Sequence, residues 1–122
     1  MMKKFFALTL SLIFPLIGIS QPTPGYFMHP DVYGNTVVFV AEGDLWKTSL
    51  TGGEATRLTT HAGEESSPKI SPDGKWVAYA ATYEGPTEVY LIPISGGLPR
   101  RLTYEPAASI PTDWKSATEV AY

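Results

Sequence analysis

The chain has 122 residues, 43% of them hydrophobic and 17% charged, with a formal net charge of −3 and no cysteine. This composition excludes a disordered or collagen-like chain, and without cysteine no disulfide framework can support the fold. Gly and Pro, 11 of each, punctuate short apolar runs, a pattern that points to an all-β protein held by apolar burial and sheet hydrogen bonds.

The first twenty residues read as a signal peptide. Lys3 and Lys4 form a short positive start, and Phe5 to Ile19 is an uncharged apolar run. Gly18 and Ser20 are the small residues expected before a cut at Gln21. The run is short for a membrane span of about 20 residues. No cysteine sits near the cut, which excludes a bacterial lipoprotein anchor. The expected product is periplasmic or secreted, with no stable membrane span. Losing Lys3 and Lys4 leaves seven basic against twelve acidic residues, a net −5. That balance argues against nucleic acid as a partner, because the phosphate backbone rewards clustered Lys and Arg. Arg100 and Arg101 are the one adjacent basic pair left, read as a solvated strand end.

The rest of the chain repeats. GNTVVFVA from Gly34 is matched by GKWVAYAA from Gly74, an offset of 40. LTGGEATRLT from Leu50 is matched by ISGGLPRRLT from Ile94, an offset of 44. PKISPDGKWVAY from Pro68 aligns with PTDWKSATEVAY from Pro111, an offset of 43. A period of about 40 to 45 residues suits a four-stranded propeller blade. The expected fold is an incomplete β-propeller: two four-stranded antiparallel blades, about 26–59 and 67–103, and the start of a third, about 109–122, in a domain over 21–122.

Within the second unit, Pro68 to Ser71 is the expected first strand and Pro72, Asp73 and Gly74 the turn after it. Trp76 to Ala81 is the second strand and Glu88 to Ile94 the third. Gly96 and Gly97 permit a tight hairpin to an outer strand over Pro99 to Thr103, where Pro and charge suit an edge. Gly53 and Gly97 are expected to adopt positive φ. The matched aromatics, Phe39 with Tyr79 and Trp46 with Tyr90, are expected in the core between blades. A closed ring needs at least about four blades. The outer faces of the first and third units are therefore expected to be open and prone to association.

The segments SPDGKWVAY, EVYLIPISGG and RRLT resemble the TolB-like propeller repeat. The stretch from Gly25 to Gly97, with VVFVAEGDLW at Val37 to Trp46, is similar to the opening of tricorn protease homologues. The resemblance covers about 100 residues. It implies a much longer parent with two propellers, a PDZ domain and a C-terminal serine peptidase core, in which the propellers gate peptide access and product exit. No catalytic residue of that family carries over, because no matching segment is present. Two alternatives remain open: a non-enzymatic periplasmic binding propeller of the TolB type, and the propeller of a prolyl-oligopeptidase-like or amidohydrolase-like enzyme.

The residues themselves carry no catalytic set. There is no G-x-S-x-G elbow. His29 precedes Pro30, which favours an extended, structural position, and His61 lies in a polar loop. No metal motif and no phosphate cradle occurs, so no cofactor or metal is expected. Geometry still indicates one face. In a blade whose strands run up and down from the axis outward, the loop between strands two and three and the blade-to-blade loop emerge on the same side. These are Glu42-Gly43, Thr60 to Ser66, Thr82 to Thr87 and Tyr104 to Ser109. They carry Glu42, Glu64, Glu65, Glu84 and Glu105. Glu64 and Glu65 are read as part of a solvated loop. Loops on a rigid scaffold are the usual place for binding, and acidic loops would favour peptides with basic groups or a free amine. The expected partners are thus peptides or the remaining domains of the parent, with oligomerisation possible at full length.

Overall fold

A computed structural model describes residue 2 and residues 26–122. The segment expected to be a signal peptide lies outside these residues, Met2 apart. The described residues are all β. β1 (Met28–Tyr33), β2 (Thr36–Ala41), β3 (Asp44–Ser49) and β4 (Thr56–Arg57) form one antiparallel sheet in chain order. β5 (Glu65–Ile70), β6 (Trp76–Ala81), β7 (Glu88–Pro93) and β8 (Arg100–Arg101) form a second of the same kind. β9 (Asp113–Ser116) and β10 (Glu119–Ala121) pair as the start of a third. The array is open, not closed.

Local chemistry sets each turn. Ala41 pairs with Asp44, so Glu42 and Gly43 form a two-residue hairpin. Both have positive φ, 54° and 82°, as a type I′ turn requires. Between β5 and β6, Gly74 N–H donates to Ser71 O at 2.8 Å, and the Asp73 carboxylate accepts from Ser71 Oγ at 2.5 Å and Lys75 N–H at 3.0 Å. The Ser71 hydroxyl and then the Lys75 amide hold the Asp73 carboxyl below its usual range. Gly53 and Gly97 have φ of 113° and 141°, as expected. The outer strands, however, are only two residues long, and in blade two Pro99, which cannot donate to a ladder, stands just before the strand.

Strand ends differ from the sequence reading: β5 stops at Ile70 rather than Ser71 and β7 at Pro93 rather than Ile94. β5 begins at Glu65, not Pro68, and a bulge between Ser66 and Lys69 absorbs the proline. The same device occurs in β1, with a bulge between Met28 and Asp31. There His29 has φ 51°, and Ser67 in β5 has φ 52°. The residue before each proline is therefore left-handed rather than extended, and the bulge accounts for it.

The blades converge on their first strands. His29 Nδ1 accepts from Ser67 N–H at 3.0 Å, and Asp31 Oδ2 accepts from Ile70 N–H at 2.6 Å, tying β1 to β5. The Trp114 indole of β9 donates to Lys69 O of β5 at 2.8 Å. The first seam, between blades one and two, buries Val38, Val40 and Leu45 against Ile70, Val77, Tyr79, Tyr90 and Ile92. The second seam sets Ala78, Val89 and Leu91 against Trp114 and Val120. Tyr79 and Tyr90 thus fill the first seam. Their matched residues, Phe39 and Trp46, lie instead along an uncovered groove of about 580 Å³ shared with Tyr26, Phe27 and Met28.

Candidate functional site

Backbone hydrogen bonds gather the four acidic loops on one side of the sheets. Glu65 N–H donates to Gly43 O at 3.1 Å, Thr82 N–H to Glu64 O at 3.1 Å, and Ser109 N–H to Thr87 O at 2.8 Å. Each bond joins a strand-two-to-three loop to a blade-to-blade loop, as the up-and-down geometry demands. Glu42 and Glu64 are exposed and close together, for the Glu64 carboxylate lies over Gly43. Glu105 is also exposed.

The other two glutamates behave differently. Glu84 is exposed, but its Oε2 takes Arg101 Nη1 at 2.9 Å, so its charge is answered. Glu65 departs from the solvated-loop reading, because it is the first residue of β5 and only 3% exposed. Its Oε2 accepts from Leu45 N–H at 2.8 Å and from Thr59 Oγ1 at 2.5 Å. Its Oε1 accepts from the Tyr83 hydroxyl. Burial pushes the Glu65 carboxyl above its usual range, although the Thr59, Tyr83 and Leu45 donors pull the other way. Burial also raises the hydroxyls of Tyr79, Tyr83 and Tyr90. The His61 ring stacks on Tyr83 with centroids 3.7 Å apart.

Arg101 likewise departs from the solvated strand end. Its guanidinium bridges Glu84 and Glu88 and lies 4.4 Å from the centre of the Tyr104 ring. Arg100 is exposed. The network around Arg101 explains the repeated RLT. In blade two, Glu88 Oε1 takes Arg101 at 2.8 Å, Glu88 Oε2 takes the Thr103 hydroxyl, and Thr103 Oγ1 accepts Val89 N–H at 2.9 Å. The Leu102 N–H donates to Val89 O at 2.8 Å. In blade one Asp44 takes Arg57, Thr59 Oγ1 accepts Leu45 N–H at 2.9 Å, and Leu58 N–H donates to Leu45 O at 2.8 Å. The acid that starts strand three therefore anchors the Arg of the outer segment in both blades, and in blade two it holds the Thr as well. Asp44 and Glu88 stand 44 residues apart, the offset of the RLT pair itself. That shared offset was the available signal for this network. Among the described residues, no group of three or more His, Cys, Asp or Glu is placed to hold a metal ion.

The family model of the tricorn protease N-terminal beta propeller domain matches residues 24–122. The chain belongs to this family. It is 40% identical over 89 residues to tricorn protease homolog 1 of Streptomyces coelicolor, covering 72% of this chain and 8% of that relative's length. The crystal structure of the tricorn protease superposes with a TM-score of 0.60 at 26% identity, covering 67% of this chain and 8% of that one. A protein assigned as TolB from Agrobacterium tumefaciens superposes with a TM-score of 0.67 at 31% identity, covering 75% of this chain and 35% of that one. The tricorn propeller family thus accounts for both the blade repeat and the position of the EGDLW hairpin, which is the β2–β3 turn.

Proposed function

We propose that this chain is the opening part of the N-terminal propeller of an exported tricorn-like serine peptidase, cleaved near Ser20-Gln21, in which the propeller gates or docks peptide substrates. The observation that carries the reading is the acidic loop face. Glu42, Glu64 and Glu105 stand exposed on loops held to one another by backbone hydrogen bonds. Loops on a rigid scaffold can be charged without cost to the core, and a negative rim raises the local concentration of cationic ligands. Glu84 contributes less because Arg101 neutralises it, and Glu65 contributes nothing at the surface because it is buried. The favoured ligand is therefore a peptide with a free amine or basic side chains. The sequence features at Lys3 to Ser20 support export to the periplasm or beyond.

The test uses the parent chain with Glu42, Glu64 and Glu105 all changed to Gln. The expected outcome is a raised KM for basic peptides with kcat unchanged, and little change for acidic ones. An unchanged KM removes the loop face from substrate handling. The TolB-type superposition favours a second reading, a binding propeller without peptidase activity. The coding sequence after Tyr122 separates the two: a PDZ segment and serine peptidase core support the first, and a stop after six blades the second.

A further inference from the structure

The first seam contains two buried carboxylates and two cations, of which Lys47 is engaged by Ile94 O at 2.8 Å. Asp44 and Glu65 are each 3% exposed. Arg57 is the ion partner of Asp44, and its own side chain is 43% exposed. Asp44 Oδ1 has no hydrogen-bond partner. In blade two the matched acid is Glu88, which is long enough to reach both Arg101 and Thr103. Asp44 is one methylene shorter. Its Thr59 hydroxyl is turned to Glu65 instead, and the orphan oxygen is the consequence.

With both groups ionised, the site would bury one uncompensated negative charge, which is costly in a low-dielectric interior. Two candidate partners lie nearby, Arg57 and the His61 ring, but Arg57 already serves Asp44, and His61 Nδ1 is an acceptor toward Gly63 N–H at 3.2 Å. The remaining titratable groups around Glu65 are Tyr83, Tyr79 beyond it at 3.0 Å between hydroxyl oxygens, and Tyr90. All three are phenols, unable to supply positive charge.

We propose that Glu65 retains a proton beside the Asp44 charge, making a pH-sensitive latch on the seam between blades one and two. The proton resides on Glu65 Oε1 and is donated to the Tyr83 oxygen. Tyr83 then turns its own hydrogen toward the Tyr79 oxygen, 3.0 Å away. Leu45 N–H and Thr59 continue to donate to Oε2 in either state. When the proton leaves, Glu65 and Asp44 repel across the seam that joins β3 to β5, and the loops bearing Glu42 and Glu64 lose part of their support.

The sign follows from the direction at Glu65. Its folded carboxyl titrates above the ordinary 4.5, so folding takes up a proton. The added stability is complete below that ordinary value and is lost as pH rises through the raised one. The experiment is thermal unfolding of the full chain from about pH 5 to about pH 8, beside Glu65→Gln and Asp44→Asn. The expected result is a wild-type folding constant that falls relative to Glu65→Gln as pH rises, by at most about tenfold per pH unit, the limit for one proton. Asp44→Asn should shrink the dependence by removing the repulsion. A carboxyl-carbon NMR titration of the wild type gives a second readout that needs no variant to fold, with the Glu65 signal moving above pH 4.5. Parallel profiles for wild type and Glu65→Gln, or a Glu65 signal that titrates at or below its ordinary value, would overturn the latch.

Discussion

Blades one and two have the same strand order and hairpin register, yet the carboxylates that take their outer-segment Thr, Glu65 for Thr59 and Glu88 for Thr103, behave in opposite ways. Glu88 is met by Arg101 and Thr103, and these hold its carboxyl below the usual range, the Thr103 hydroxyl most strongly. Glu65 takes the Thr59 hydroxyl and still lies above the usual range, because burial outweighs its donors. The difference starts with one methylene, Asp44 in place of the Glu found in blade two. A repeat therefore conserves backbone geometry more closely than it conserves electrostatics. The backbone bonds of the outer segment, Leu58 to Leu45 and Leu102 to Val89, are both 2.8 Å.

The two seams differ in the same way, and the largest effect should come from the first. Leu45 is fully buried among Val38, Ile70 and Tyr79. Leu45→Ala should cost about 2–5 kcal/mol through lost transfer energy and the cavity left behind. Val89→Ala in the second seam should cost less, since a smaller side chain is removed from a smaller cluster. Equal losses by chemical denaturation would show that the seams are equivalent after all.

Next in size are the glycine turns. Gly97 has φ 141°, and a built Cβ finds only Pro93 atoms at 3.7 Å. The space is adequate, so conformation alone sets the penalty. Gly97→Val should destabilise by roughly 1–3 kcal/mol, a cost of holding a β-branched residue in a region that is nearly glycine-only. Gly53→Val tests the matched turn in blade one, where φ is 113° and nothing lies within 4 Å. Melting temperatures of the two variants should fall together.

A smaller effect distinguishes the acids. The depressed carboxyl of Glu88 contributes stability that is present above its unfolded value, ordinarily 4.5, and lost as pH falls through the lower folded value. Glu88→Gln should flatten the acid limb of the stability profile and leave the neutral region with the opposite slope due to Glu65. An unaltered acid limb would mean that Arg101 and Thr103 do not favour the charged form. The smallest change should be Glu64→Gln. Glu64 is exposed, and its loss should shift stability by no more than about 0.5 kcal/mol. A clear drop in a thermal melt would reveal that the carboxylate over Gly43 supports the hairpin.

The amino-acid sequence by itself determined the period, the strand core positions and the turns. These rest on local physics: alternation of apolar residues, the stereochemistry of Gly at positive φ, and the missing amide of Pro. For that reason Trp76–Ala81 and the φ signs of Gly53 and Gly97 were legible without tertiary information. The grouping of Glu42 with Glu64 was legible in outline, since blade geometry alone places their loops on one face. Only the tertiary structure decided that Glu65 is buried, that Arg101 is engaged, and that Phe39 and Trp46 line an open groove while Tyr79 and Tyr90 fill a seam. Each of these depends on which neighbouring blade lies against the residue. Adjacent glutamates look alike in a sequence, but Glu65 meets Leu45 and Thr59 while Glu64, one residue before β5, meets water, and that surrounding dielectric determines whether a carboxylate can stay charged.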